Sequence, residues 1–207
     1  MKINKAKIDE AFKNFEAIIF DLDGTLTDTM PLHYITYVKA VEKYGKAYFP
    51  KEQFYALGGV PTKEVCQIVL DQSNLSHISA ETIAKDKDEL FHENFSQIQP
   101  ITQVLECAKF FYGSKKMGVA TGSKRWSALE SLESIEASHL FSAIITADDI
   151  THPKPNPEIF IKAAEVLNCE TNKCVVIEDA KLGIEGAHSA DMKAYHIDEL
   201  KKLFFNS

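Results

Sequence analysis

Short, uninterrupted runs of apolar residues recur along this chain and predict the strands of a buried sheet. Each run has strand length and lacks the polar alternation of a half-exposed strand, which indicates burial on both faces. The runs are residues 17–20, 117–120, 143–146, 174–177 and 194–197. Helical patterns, such as residues 126–135 and 157–167, separate them. This alternation predicts an α/β fold in which helices cover both faces of a parallel sheet.

A long interval between the first two runs has helical periodicity and no run of strand type. Apolar residues spaced three or four apart predict three helices. They are Leu32, Ile35, Val38 and Val41, then Val65, Ile68 and Val69, then Ile83, Leu90, Phe91 and Phe95. Prolines near residues 27–31 and 97–101 indicate the two ends of this insert, because helices commonly stop before proline. We therefore predict a core of residues 1–28 and 99–207 and a helical cap of residues 29–98.

Composition narrows the class of protein. The 207 residues suit one domain or a core with a small insert, and the formal charge of -7 argues against a nucleic-acid surface. The four cysteines form no close pair and no zinc-type cluster, so reduced thiols are expected. No apolar segment is long enough to cross a membrane. Residues 1–10 lack the apolar centre of a signal peptide, and with Ile8, Phe12 and Phe15 they indicate a short amphipathic helix. We expect a cytoplasmic protein.

Polar side chains that could take part in a reaction follow four of the five predicted strands. They are Asp21 and Asp23, then Thr121, Gly122 and Ser123, then Lys154, and last Glu178 and Asp179. The carboxyl ends of parallel strands meet at one edge, where ligands bind in open α/β sheets. Residues 21–25 alone also fit a plain strand-to-loop turn, and Ser123 also fits an ordinary helix N-cap. Convergence of all four groups at one edge favours a site.

The residue types indicate which ligand this site would bind. Asp21 and Asp179, with Glu178 as a further candidate, offer the hard oxygen atoms that suit Mg²⁺. Lys154 lies between two prolines, which fix the loop and favour a positioned cation for phosphate. The amides that open the helix after Thr121 predict an anion site.

The four motifs together resemble the haloacid dehalogenase superfamily of phosphotransferases. The subgroup resembled is the one similar to β-phosphoglucomutase, with a helical C1-type cap after the first motif. The resemblance extends from about residue 17 to residue 197 and implies a Rossmann-like core. It implies that Asp21 is a nucleophile that becomes an aspartyl phosphate and that Asp23 is the general acid/base. It also implies that Thr121 and Lys154 steady the transferred phosphoryl group.

The resemblance assigns the metal to the same edge of the sheet. Asp21, the backbone carbonyl of Asp23, and Asp179 with Glu178 are the implied ligands of Mg²⁺. The amides and hydroxyls of Gly122 and Ser123 are the implied contacts to the phosphoryl oxygens.

Residues of the predicted cap bear on the choice of activity. His33 falls where mutases of this subgroup carry a hinge histidine, although a plain structural histidine fits the helix equally well. Thr62 falls where the mutase would carry an arginine for a second phosphate, which weakens the mutase interpretation. Lys63 and Lys87 are the candidates to supply that cation instead.

The cap loop at residues 57–63 and the segment 147–155 look closest to fructose-1-phosphate and 6-phosphogluconate phosphatase-type members. We therefore expect a Mg²⁺-dependent phosphatase acting on small phosphorylated metabolites of the sugar phosphate class. A hexose-phosphate mutase and a non-catalytic sugar-phosphate-binding protein are the alternatives. We expect no nucleic-acid or membrane partner, and a monomer or weak dimer.

Overall fold

A computed structural model describes residues 5–204. Within that range five strands form one parallel sheet in the order β3-β2-β1-β4-β5. The strands are β1 (Ala17–Phe20), β2 (Lys116–Ala120), β3 (Ala143–Ile145), β4 (Cys174–Glu178) and β5 (Lys193–His196). Each strand coincides with a predicted apolar run to within one residue at either end. The predicted α/β fold class is confirmed.

Helices flank this sheet and fill the interval between its first two strands. The α-helices of the described residues are α1 (Lys5–Phe12), α2 (Met30–Glu42), α3 (Lys51–Ala56), α4 (Thr62–Gln72), α5 (Ala80–His92), α6 (Thr102–Phe111), α7 (Arg125–Ser134), α8 (Glu158–Val166), α9 (Lys181–Ser189) and α10 (Ile197–Phe204). Helix α1 buries Ile8 and Phe12, as its spacing predicts. The first four residues of that predicted segment lie outside the described part of the chain. No helix between residues 5 and 204 is both long enough and apolar enough to span a membrane.

Alternate residues of the central strand β1 pack into different layers of the core. Ile18 and Phe20 belong to a cluster that includes residues of α1, α6, α7 and α10. Ala17 and Ile19 face the opposite layer, formed mainly by α8 and α9. All four are fully buried, which explains why the strand has no polar position. Burying a side chain such as Phe20 stabilises the fold by about 1.5–3 kcal/mol.

Helices α2 to α5 share a third apolar cluster, which includes Phe54, Val69 and Ile83. The chain enters and leaves this segment at neighbouring points. The Asp28 amide donates to the Gln99 carbonyl at 2.8 Å. The short helix α3 is not among the predicted helices. The limits 29–98 for a cap and 1–28 with 99–207 for a core stay a prediction.

The predicted apolar face of α2 is partly wrong. Ile35 is 46% exposed, and the buried positions lie on an adjacent face. They are His33, Thr36, Tyr37, Ala40 and Val41. This face turns toward α5 and the loop after β1, where polar residues such as His33 find partners. The apolar faces predicted for α4 and α5 agree better with the observed burial, since Val65, Val69 and Phe91 are buried.

Candidate active site

Three carboxylates converge where β1 and β4 end. Asp21, Glu178 and Asp179 place oxygen atoms within 4.8 Å of one another. Phe20 pairs with Ile177 in neighbouring parallel strands, so the residues that follow both strands fall side by side. The sequence predicts this meeting of acids. Such a cluster of hard oxygen atoms suits a divalent cation.

A buried lysine joins two of these acids. Lys154, in the loop between β3 and α8, donates to Asp21 Oδ1 at 2.7 Å and to Glu178 Oε1 at 2.6 Å. Only 6% of the residue is exposed. Burial lowers the pKa of Lys154, but the charges of Asp21 and Glu178 outweigh burial and raise that pKa above its usual value. The lysine is therefore a fixed cation at the strand ends.

Burial shapes the protonation of the acids. It raises the pKa of Asp21 well above the usual value, although the charge of Lys154 opposes the shift. Burial, followed by the charge of Glu178, raises the pKa of Asp179 to about 6. Three carboxyl groups thus share one buried lysine, and a further cation bound beside them would favour their ionised forms.

The turn after β1 holds Asp179 in position. Thr25 Oγ1 donates to Asp179 Oδ1 at 2.8 Å. Gly24 has a φ of +90°, and a Cβ atom there would overlap the Asp179 carboxylate. Glycine meets both requirements because it has no side chain. The turn weighed as a structural alternative is therefore real, and it also shapes the site.

Asp23 has surroundings quite unlike those of Asp21. Its Oδ1 accepts from Thr29 Oγ1 at 2.7 Å and lies 3.2 Å from His33 Nε2. Its Oδ2 accepts from Ser123 Oγ at 2.6 Å and from Thr121 Oγ1 at 3.3 Å. Burial raises the pKa of Asp23, but the hydrogen bonds from His33, Ser123 and Thr29 prevail and hold it well below its usual range. Asp23 is therefore ionised at neutral pH.

The prediction that Ser123 caps helix α7 is wrong, because its hydroxyl donates a hydrogen bond to Asp23 instead. Helix α7 instead receives the carboxylate of Asp148, which accepts from the Arg125 amide at 2.8 Å. The Ser123 amide donates to Thr121 Oγ1 at 3.0 Å. Two of the amides expected to bind a substrate anion thus have partners within the protein.

A cavity of about 330 Å³ lies between this edge of the sheet and the helices of the predicted cap. Every site residue predicted from the sequence lines it. These are Asp21, Asp23, His33, Thr62, Lys63, Lys87, Thr121, Gly122, Ser123, Lys154, Glu178 and Asp179. The strand ends and the helical segment therefore enclose one common space.

His33 of α2 and Lys87 of α5 also line the cavity. The His33 ring stacks on Phe91, with centroids 4.2 Å apart. Lys87 is buried, and its Nζ lies 4.8 Å from the centroid of the Phe91 ring and 5.5 Å from that of Tyr37. Burial and then the charge of Lys87 lower the pKa of His33, and burial lowers the pKa of Lys87. His33 thus packs structurally and also contacts Asp23.

Two further polar residues of the cavity, Asp88 and Lys124, are missing from the sequence prediction. Asp88 Oδ2 accepts from Lys124 Nζ at 2.8 Å, and its Oδ1 lies 3.5 Å from Lys87 Nζ. Lys63, by contrast, forms an ion pair with Glu81. Lys124 directly follows the Thr121–Ser123 turn, which was a usable signal. The sequence contains no comparable signal for Asp88, because acidic residues are common on the polar side of a helix.

The chain belongs to the haloacid dehalogenase-like hydrolase family, whose sequence pattern matches residues 18–197. It is 30% identical to the fructose-1-phosphate phosphatase of Escherichia coli, over 90% of this chain and 98% of that one. It is 34% identical to a phosphorylated carbohydrates phosphatase of Thermotoga maritima, over 86% and 82% respectively. The solved β-phosphoglucomutase of Clostridium difficile superposes with a TM-score of 0.76, at 30% identity over 91% of this chain and 88% of that one. The predicted family and enzyme class are confirmed.

Proposed function

We propose that this protein is a phosphatase that hydrolyses phosphate monoesters of sugars with the help of Mg²⁺. The observation that carries the proposal is the double hydrogen bond of Lys154 to Asp21 and Glu178, beside Asp179. A buried cation next to a carboxylate at a cavity suits phosphoryl transfer, in which positioning and charge stabilisation do most of the work.

Asp21 is the proposed nucleophile. Asp23 takes up a proton from solvent when the anionic ester binds beside it. A carboxylate oxygen of Asp21 then attacks phosphorus, the bond from phosphorus to the ester oxygen breaks, and the leaving alkoxide takes that proton from Asp23. The product of this step is an aspartyl phosphate on Asp21. Water then attacks the phosphorus and gives its proton to Asp23, which releases inorganic phosphate and restores the Asp21 carboxylate. The depressed pKa of Asp23 favours the ionised form that the second step requires.

Lys154 and Thr121 are the proposed contacts to the phosphoryl oxygens during both steps. Both side chains are buried at the strand ends and line the cavity. Gly122 is exposed on the same turn, and no atom lies within 4 Å of the position a Cβ atom would take there. A phosphoryl group can therefore approach the backbone closely at this point.

The donor set fits Mg²⁺. Asp21 and Asp179 are the proposed carboxylate ligands, together with the backbone carbonyl of Asp23. Both oxygen atoms of Glu178 already accept hydrogen bonds, from Lys154 and from the Ala180 amide at 2.7 Å, so Glu178 chiefly orients the lysine. When bound, Mg²⁺ would neutralise charge on the acids and on the transferred phosphoryl group.

The similarity to two named sugar phosphatases supports a phosphorylated sugar as the substrate. The similarity to a β-phosphoglucomutase supports a mutase as the second candidate. A mutase must hold a bisphosphate intermediate, which requires a second cationic clamp. The two candidates for that clamp, Lys63 and Lys87, already have acidic partners in Glu81 and Asp88, and this favours hydrolysis.

Residues 29–98 are proposed to act as a cap that closes over the bound ester and excludes water. His33, Thr62, Lys63 and Lys87 are its proposed substrate contacts, because all four line the cavity. A cytoplasmic location and a monomeric or weakly dimeric state remain part of the same proposal.

The test is a panel of sugar phosphates assayed for phosphate release with Mg²⁺ and with EDTA. We expect turnover that depends on Mg²⁺ and is abolished in Asp21→Asn. Undiminished turnover by Asp21→Asn would show that the proposed nucleophile is wrong. Conversion of a hexose 1-phosphate to the 6-phosphate without phosphate release would establish the mutase instead. Binding without any turnover would establish a sugar-phosphate-binding protein.

A further inference from the structure

The cations that line the cavity fall into two groups with different acidic partners. Lys154 is held by Asp21 and Glu178 at the strand ends. The other three, Lys63, Lys87 and Lys124, here called the distal lysines, pair with acids of helix α5. No arginine is among the cavity-lining residues of the described chain.

Each distal lysine already has an acidic partner. Lys63 pairs with Glu81 at the rim, where both side chains are largely exposed. Deeper in the cavity, Asp88 alone serves two lysines, with Lys124 at 2.8 Å and Lys87 at 3.5 Å. The Asp88 side chain is 18% exposed and itself lines the cavity. Any group that approaches either lysine therefore approaches a carboxylate as well.

This arrangement discriminates between two kinds of distal group. A second phosphate or a carboxylate brings negative charge beside Asp88 and must displace it from one of the lysines. A hydroxyl group can donate to the carboxylate and accept from the ammonium groups without displacing either.

We propose that Asp88 is a specificity-determining residue that restricts the substrate to monophosphate esters whose leaving group is an uncharged polyol. The inference rests on the proposed function and deepens it by naming the leaving group. Of the two phosphatase types that the sequence resembles, it favours the one acting on fructose 1-phosphate over the one acting on 6-phosphogluconate.

Two matched pairs of substrates test the proposal. Fructose 1-phosphate and fructose 1,6-bisphosphate share the reacting ester, and glucose 6-phosphate and 6-phosphogluconate do as well. In each pair we expect kcat/KM to favour the first member by about tenfold or more, as repulsion between like charges in a partly buried site predicts. In Asp88→Asn we expect each ratio to fall by about fivefold or more, because both lysines become available.

The control is Glu130→Gln, which makes the same change in net charge. Glu130 pairs with His92 at 3.0 Å on the α7 side and does not line the cavity. The kcat/KM ratios of the Glu130→Gln variant should equal those of the native protein. Asp88→Ser provides a second removal of the charge if Asp88→Asn does not fold. Native ratios near one, or ratios that neither folded Asp88 variant changes, would overturn the proposal.

Hydrolysis of the esters and the charge preference of the cavity can be measured separately. If none of the four esters is hydrolysed, the phosphatase assignment is wrong. The charge preference is then decided by calorimetric titration of the native protein with the same pairs. Tighter binding of the uncharged member supports the role of Asp88, and equal or weaker binding overturns it.

Discussion

Gly183 lies directly against the carboxylate of Glu178, so that a Cβ atom at position 183 would overlap Glu178 Oε1. Glu178 is fully enclosed at the end of β4 and accepts from Lys154 through the same oxygen. Helix α9 can pass this close to the strand end only because residue 183 is glycine.

Replacement of Gly183 by alanine should therefore disturb the site. We expect Gly183→Ala to displace Glu178 and Lys154 and to lower kcat by about a hundredfold, the effect of a displacement near 1 Å at a reacting centre. Steady-state kinetics on a hydrolysed sugar phosphate measure this. Gly45→Ala is the control for crowding, since its Cβ atom would meet the Leu75 side chain at 3.0 Å and neither residue lines the cavity. Equal kcat values for the two variants would contradict the interpretation.

Loss of Lys154 should cost stability as well as activity. In Lys154→Met, Asp21 and Glu178 lose their buried cation. We expect the free energy of unfolding at pH 7 in EDTA to fall by about 3 kcal/mol, the cost of breaking a buried ion pair. Urea denaturation measures the change.

A compensating variant separates charge from packing in that experiment. Lys154→Met combined with Glu178→Gln removes one uncompensated carboxylate, so it should recover part of the lost stability. A double variant that is less stable than Lys154→Met alone would show that the loss comes from packing.

The Ser123 hydroxyl should contribute to turnover through Asp23. Ser123→Ala removes the 2.6 Å hydrogen bond to Asp23 Oδ2, so the acid/base loses one of the contacts that fix its position. We expect kcat to fall about tenfold, as for a misplaced general acid/base. Ser76→Ala is the matched control, because it removes a serine-to-aspartate hydrogen bond of 2.9 Å in an exposed part of the chain. An equal loss in both variants would contradict a specific role for Ser123.

Asp149 should stabilise the loop after β3 in a pH-dependent manner. Its Oδ2 accepts from the Thr146 amide at 2.9 Å and from Arg125 at 2.5 Å. Burial opposes the shift, but the hydrogen bond from Arg125 and those from Thr146 lower the pKa of Asp149 to about 2. Because the folded pKa lies below the unfolded value of about 3.9, the stabilisation is complete above that value and disappears as pH falls toward 2.

Asp149→Asn should consequently lower the free energy of unfolding by about 1–2 kcal/mol at pH 7. The difference from the native protein should be constant between about pH 7 and 5 and shrink below about pH 4. Urea denaturation at a series of pH values measures it. A difference that stays the same down to about pH 3 would show that the charge of Asp149 has no part in it.

The strands could be predicted from the sequence because burial on both faces leaves a local signal. Residues 17–20 and 174–177 are uninterrupted apolar runs, and each is followed by acids at the point where the strand ends. The neighbours of those acids in space could also be anticipated, since parallel strands align their carboxyl ends. The observed meeting of Asp21 with Asp179 follows from topology alone.

The buried face of helix α2 and the partners of the distal lysines were harder to predict from the sequence. The burial of His33 depends on Phe91 and Asp23, and the capping of α7 depends on Asp148, which comes from another loop. The pairing of Asp88 with Lys124 joins residues 36 positions apart on different elements. Apolar periodicity carries no information about such polar pairs, because either partner alone resembles a solvated surface charge.

The order of the sheet has a consequence for how the protein becomes active during its synthesis. Asp21 lies 133 residues before Lys154, and Thr25 lies 154 residues before Asp179. A ribosome therefore exposes the first strand long before the segment that completes the site emerges. Until β4 pairs with β1, Glu178 and Asp179 are not beside Asp21, and the three carboxylates do not form a cluster. The candidate site is therefore complete only when a late segment of the chain has taken its place in the sheet.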